Sequence, residues 1–264
     1  MIVRLDSPDS PEARMYFRLT EAQLRNRLEP EKGIFIAESP KVIRTAMNEG
    51  FMPLSVLYDE NGTDNAAREL IAELPDEIPV YTASTELLRE LAGFQLTRGM
   101  LAAMRRPLLP DLTLFGEMKR IVVLERIADA TNMGAIFRSA AALGMDGILL
   151  THDCSDPLIR RSLRVSMGTA LQIPWTYLPS EWLPVLHEMG FTTAAMALTD
   201  KSVSLEKDTF GGMDKLAIVM GSEGDGLSPA TIEGCRMTVR IPMRCGVDSL
   251  NVAAAAAVAC FISR

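Results

Sequence analysis

The chain has 264 residues, 48% hydrophobic and 23% charged, the balance of an ordinary folded protein with one large domain or two modest ones. Its longest apolar stretch, Val252–Ile262, is too short to span a bilayer. The formal net charge of −7 excludes a uniformly basic nucleic-acid binder and leaves room for a local basic face only.

Residues 1–32 read as an arm followed by a polar helix, where Arg14, Arg18, Arg25 and Arg27 recur with few apolar partners. Such a run is either a solvated face or a surface that tracks phosphates. The opening residues, MIVRLDSPDS, hold no apolar signal core, so the expected location is cytoplasmic.

From Gly33 onward strands and helices alternate. Ile34–Ala37 predicts a buried strand, then a helix capped by Ser39, with Pro40 in its first turn and Gly50 at its end. Leu54–Tyr58, Val80–Thr82 and Gly99–Met104 predict strands; Asn65–Leu74 and Ser84–Ala92 predict helices. The segment Arg105–Asp111 holds two prolines and loses periodicity. The expected organisation is a domain over 1–106, a linker over 107–117 and a second domain over 118–264.

The second half alternates again. Strands are expected at Ile121–Arg126, Gly147–Thr151, Thr192–Leu198, Leu216–Met220 and Thr238–Ile241. Helices are expected at Met133–Leu143, Ser180–Met189 and Leu250–Ile262, with Pro184 marking a kink or an N-terminal position. Continuous apolar strands between helices predict an α/β fold around a parallel sheet. The four cysteines, Cys154, Cys235, Cys245 and Cys260, form no CxxC pair, and the histidines are His152 and His187. Reduced thiols and no metal site are expected.

Three segments could carry chemistry. Asn132 to Ala140 follows a strand and opens a helix; Asn132 suits the cap and Arg138 lies about two turns in, beside small residues. Met220 to Pro229 follows a strand and holds three glycines, which allow close approach of a ligand. Its order is GxxGxG, so it is neither a P-loop nor a dinucleotide fingerprint. Ile241-Pro242-Met243 precedes Ser249-Leu250-Asn251 at the start of the last helix, with Asp248 or Ser249 as expected cap. Free backbone N–H groups there favour an anionic ligand group. Taken singly, each segment is also a surface arginine, a glycine turn or a tightly packed helix.

In this order the segments resemble the three motifs of the SpoU (TrmH-type) family of the SPOUT superfamily, RNA 2′-O-ribose methyltransferases. Asn132, Gly134 and Arg138 match the first motif, Gly221 to Gly226 the second, and Ile241-Pro242 with Ser249-Leu250-Asn251 the third. Arg164 to Gly168 resembles a further family segment, and the likeness covers residues 120–264. It implies a C-terminal SPOUT domain with a parallel sheet and a deep trefoil knot. It also implies a homodimer and an N-terminal α/β substrate-binding domain of the ribosomal-protein L30e-like kind.

The implied cofactor is S-adenosyl-L-methionine, held by Leu198, Thr199, Met220, Gly221, Gly226, Ile241, Met243 and Leu250. The implied substrate is rRNA or tRNA. The implied catalytic set is Arg138, Glu223, Asn251, Ser249 and Asn132. Deprotonating an arginine at pH 7 costs about 7 kcal/mol, so Arg138 is read as a cation that binds phosphate and stabilises developing alkoxide charge. Glu223 is the competing base. The rival readings are a SPOUT-fold RNA-binding protein without catalysis, a dinucleotide oxidoreductase, which lacks its GxGxxG, and a methyltransferase acting on a small molecule or protein.

Overall fold

The computed structural model describes residues 2–17, 32–62, 64–92 and 99–264. Arg18, Arg25 and Arg27, with most of the expected polar helix, lie outside the described residues. The chain divides into two compact units: Met1–Leu108 with Leu158–Leu171, and Leu109–Pro157 with Gln172–Arg264.

The first unit is built on a mixed sheet of five strands: β1 (Ile2–Arg4), β2 (Ile34–Glu38), β3 (Pro53–Asp59), β4 (Val80–Ala83) and β5 (Met100–Arg105). Their spatial order is β1-β4-β3-β5-β2, with β5 antiparallel to both β2 and β3. Ser39 caps the helix Pro40–Asn48 through the Val42 N–H, and Gly50 leaves it with φ +87, as the sequence predicts. The short β1 and the helix Pro11–Phe17 carry too little pattern to be legible.

Helix Arg160–Ser166 groups with this unit, although the sequence runs it within 118–264. An ion pair ties it there, beside its fully buried Leu163. Glu38 is buried, and Arg160 Nε donates to its Oε2 at 2.8 Å while Arg164 Nη1 stands 3.5 Å from its Oε1. A buried carboxylate without such partners is strongly destabilising.

The second unit holds seven strands: β6 (Arg120–Leu124), β7 (Gly147–Leu150), β8 (Trp175–Tyr177), β9 (Thr192–Met196), β10 (Val203–Ser204), β11 (Leu216–Met220) and β12 (Met237–Arg240). All pairings are parallel, in the order β10-β12-β9-β11-β6-β7-β8. Ile121 to Leu124 and Leu216 to Met220 are fully or almost fully buried. Each such Val, Leu or Ile contributes roughly 1.5–3 kcal/mol, and a sheet covered on both faces demands these unbroken apolar runs. The chain moves outward from β6 to β8, crosses to β9 on the far side, then lays β11 between β9 and β6. That reversal of direction places a crevice at the carboxyl ends of the central strands.

The expected linker contains structure. Asp111 caps the 3₁₀ helix Leu112–Glu117, whose Phe115 is completely buried in the core of this unit. A Cβ at Gly147 would stand 2.7 Å from the Phe115 ring, so glycine is required where β7 begins. Pro184 falls in the first turn of the helix Trp182–Glu188, where its missing N–H breaks no bond.

Candidate active site

Strands β9, β11 and β12 end side by side, and the loops that follow them meet the start of the helix Val252–Ser263. Together they enclose a cleft of about 760 Å³, within the range of small-molecule sites. Leu198, Met220, Gly221, Gly226, Ile241, Met243 and Leu250 line it. Thr199 is turned into its own loop, where its N–H donates to Ser202 Oγ at 2.9 Å.

The glycine loop owes its shape to two positions. A Cβ at Gly221 would lie 2.3 Å from Gly226 C and 2.4 Å from Leu227 N, so any larger residue would drive the two backbones apart. Gly226 has φ +66, which L side chains rarely adopt. Between them the loop closes on itself, with Gly226 N donating to Ser222 O at 3.2 Å. Glu223, at its exposed tip, and Ser249 both line the cleft.

Two expected caps are corrected. Asp129, not Asn132, caps the helix Ala130–Ala142, accepting from the Thr131 and Asn132 N–H groups. A carboxylate satisfies two orphan donors and also complements the positive end of the helix. Asn251, not Asp248 or Ser249, caps the last helix; its Oδ1 accepts from Ala253 N at 3.0 Å and Ala254 N at 3.4 Å.

These corrections explain how the catalytic candidates meet. With Oδ1 used by the cap, the Asn251 amide nitrogen must face the other way. It donates to Asn132 Oδ1 at 3.0 Å and to Glu223 Oε1. Asn132 is available because Asp129 has taken over the capping. The first, second and third motifs therefore converge on one side-chain amide. Arg138 stands apart: it is exposed, is not among the cleft-lining residues, and has no hydrogen-bond or ion-pair partner among the described residues.

Sequence reasoning passed over Glu125 and Arg126, which follow β6 directly and bond to the glycine loop. Their signal was a charged pair at the carboxyl end of an apolar strand, the edge where open α/β sheets place ligands.

The family comparison agrees with this geometry. Residues 119–261 match the SpoU rRNA Methylase family, and they include all three converging motifs. The chain belongs to the SpoU family. An uncharacterized tRNA/rRNA methyltransferase of Mycobacterium bovis is 37% identical over 262 residues, covering 96% of this chain and 88% of the relative. The 23S rRNA (guanosine-2′-O-)-methyltransferase RlmB of Acinetobacter baylyi is 31% identical over 216 residues, 78% of this chain and 86% of RlmB. Among solved structures, the SpoU methyltransferase AviRb of Streptomyces viridochromogenes superposes with a TM-score of 0.74 at 26% identity, covering 92% of this chain and 93% of AviRb. AviRb in complex with the cofactor AdoMet gives a TM-score of 0.77 at 24% identity, covering 96% and 97%.

Proposed function

We propose that the protein transfers a methyl group from S-adenosyl-L-methionine to a ribose 2′-hydroxyl of rRNA or tRNA. The observation that carries this reading is the meeting of Asn132, Glu223 and Asn251 beside a glycine-walled cleft in a SpoU chain. Relatives named as tRNA/rRNA and 2′-O-methyltransferases support the same class.

The cleft suits the cofactor on two counts. Gly221 and Gly226 let the loop fold tightly enough to form its wall, and its lining mixes apolar Leu198, Ile241 and Leu250 with polar Ser222, Glu223 and Ser249. Gly221, Gly226, Ile241, Met243 and Leu250 would hold it. When bound, it supplies an activated methyl group on a good leaving group.

The chain's own residues then have to place the hydroxyl and manage its proton. Glu223 is a carboxylate already bonded on one oxygen by Asn251, which leaves the other to accept from the ribose hydroxyl. Asn251 fixes that carboxylate, and Asn132 fixes Asn251. Such positioning can lower a barrier by roughly 7–11 kcal/mol. Arg138, outside the cleft, acts as a cation on the target phosphate.

We also infer a homodimer and a trefoil knot in the second unit. Arg138 is exposed in the single chain, and Val258 and Phe261 on the last helix are exposed apolar residues, a surface that suits a second copy. The first unit is read as the RNA-binding, ribosomal-protein-like domain, with Arg14 and Arg105 exposed on it. The test is mass spectrometry of rRNA and tRNA from cells with and without the gene. Loss of one ribose methylation supports the reading, and an unchanged modification pattern contradicts it. A SPOUT-fold RNA binder without catalysis would leave that pattern intact.

A further inference from the structure

Glu125 and Arg126 lie outside the three motifs, yet both grip the glycine loop. Glu125 is buried at the end of β6. Its Oε1 accepts from Ser228 N at 2.8 Å, and its Oε2 accepts from Thr231 Oγ1. Both partners belong to the start of the helix Pro229–Gly234, where the loop leaves the cleft. Its own N–H donates to Met220 O at 2.9 Å, on the residue where the loop begins. One residue therefore fixes both ends of the loop.

Arg126 reaches the middle. Its Nη2 donates to Gly226 O at 3.0 Å, and Ser222 Oγ donates to the same carbonyl at 3.4 Å. Gly226 and Leu227 both line the cleft, so this fixes the plane of a peptide in the cleft wall. The guanidinium also pairs with Glu125: its buried Nε lies 3.7 Å from Glu125 Oε1, an ion pair without a hydrogen bond. Arg126 holds φ +57, a left-handed backbone that a side chain other than glycine adopts only where its surroundings enforce it. Its N–H donates to Thr151 Oγ1 at 3.1 Å, at the end of β7.

We propose that Arg126, braced by Glu125, is a positioning residue for the cofactor. It holds the Gly226–Leu227 peptide in its binding conformation and takes no part in methyl transfer. This rests on the cleft being the S-adenosylmethionine site. A charge-assisted hydrogen bond to a carbonyl is among the stronger polar contacts, so its loss should be read in cofactor affinity before rate.

The experiment is calorimetric titration of the full-length protein with S-adenosylmethionine. The wild type is compared with Arg126→Asn, Arg126→Lys and Glu125→Gln. Asparagine removes the guanidinium while tolerating the left-handed backbone. Lysine restores one donor without the fork. Glutamine keeps an acceptor for Ser228 N, and the Thr231 hydroxyl can turn to accept from its amide.

Arg126→Asn should weaken binding about 10-fold, with Arg126→Lys between it and wild type and Glu125→Gln milder than Arg126→Asn. In steady state the KM for the cofactor should rise, while kcat at saturating cofactor and the KM for RNA stay within about twofold. Cofactor affinity within twofold of wild type in folded Arg126→Asn overturns the proposal. So does a loss confined to kcat, or no rescue by lysine. Wild-type protein that binds no cofactor overturns instead the reading of the cleft on which the proposal stands.

Discussion

The Asn251 side-chain amide donates to Asn132 Oδ1 at 3.0 Å, joining residues 119 positions apart in the chain. The same nitrogen donates to Glu223, while the Asn251 oxygen caps the last helix. One side chain thus sets both a helix start and the orientation of the carboxylate read here as the base.

Asn251→Asp separates these two duties. Aspartate caps a helix as well as asparagine does, but it sets an oxygen against the oxygens of Asn132 and Glu223. Thermal stability should change little, while the single-turnover rate falls about 100-fold through misplacement of the carboxylate. An equal loss of stability and rate would show that the residue acts only as a cap.

Gly221→Ala and Gly224→Ala should behave oppositely. A Cβ at Gly221 meets backbone at 2.3 Å, whereas nothing lies within 4 Å of one at Gly224. Calorimetry should show cofactor binding lost in the first and kept in the second. Retained affinity in folded Gly221→Ala would move the cofactor away from this wall.

Arg138→Lys keeps the charge and loses the planar fork. Cofactor affinity should stay unchanged, because Arg138 does not line the cleft, and a small, measurable methylation rate should persist. A completely inactive variant, with a wild-type rate that climbs without plateau to the highest pH the enzyme survives, would point to arginine as the base.

The thiols give a pH prediction. Burial pushes Cys235 up from 9.0 to about 11 and Cys260 up from 9.0 to about 12. In the unfolded chain they ionise near the ordinary value, so their contribution is fully present below it and is lost as pH rises through the folded values. The melting temperature should decline from about pH 9 upward. Iodoacetamide at pH 8 should label exposed Cys245 before buried Cys154 or Cys260. Mass spectrometry of the labelled peptides checks the order, and early labelling of Cys260 would contradict its burial.

The central strands were legible because burial on both faces leaves unbroken apolar runs such as Leu216–Met220. Short edge strands such as β10 and β8 were not, since two or three residues carry no period. The motifs picked out segments that meet beside the cleft, but the expected caps lay three positions from Asp129 and two or three from Asn251. Asp129 and Asn132 both suit a helix start by type, and the bond from Asn251 to Asn132 that accompanies the choice of Asp129 lies 119 positions away in sequence. Arg160 and Arg164 sit in the second half of the chain, yet their partner Glu38 lies 122 and 126 residues earlier. No local pattern could disclose that pairing. Glu125 and Arg126 escaped because a charged pair after a strand is ordinary until its bonds to the loop are seen.

The most direct test supplies the purified protein with methyl-labelled S-adenosylmethionine and rRNA or tRNA from cells lacking the gene. The RNA is then digested with alkali, which cleaves beside free 2′-hydroxyls and spares methylated ones. The account predicts label in a single alkali-resistant dinucleotide, absent when Glu223→Ala protein is used. Label released in a mononucleotide with a methylated base, or no label with protein that binds the cofactor, would contradict it.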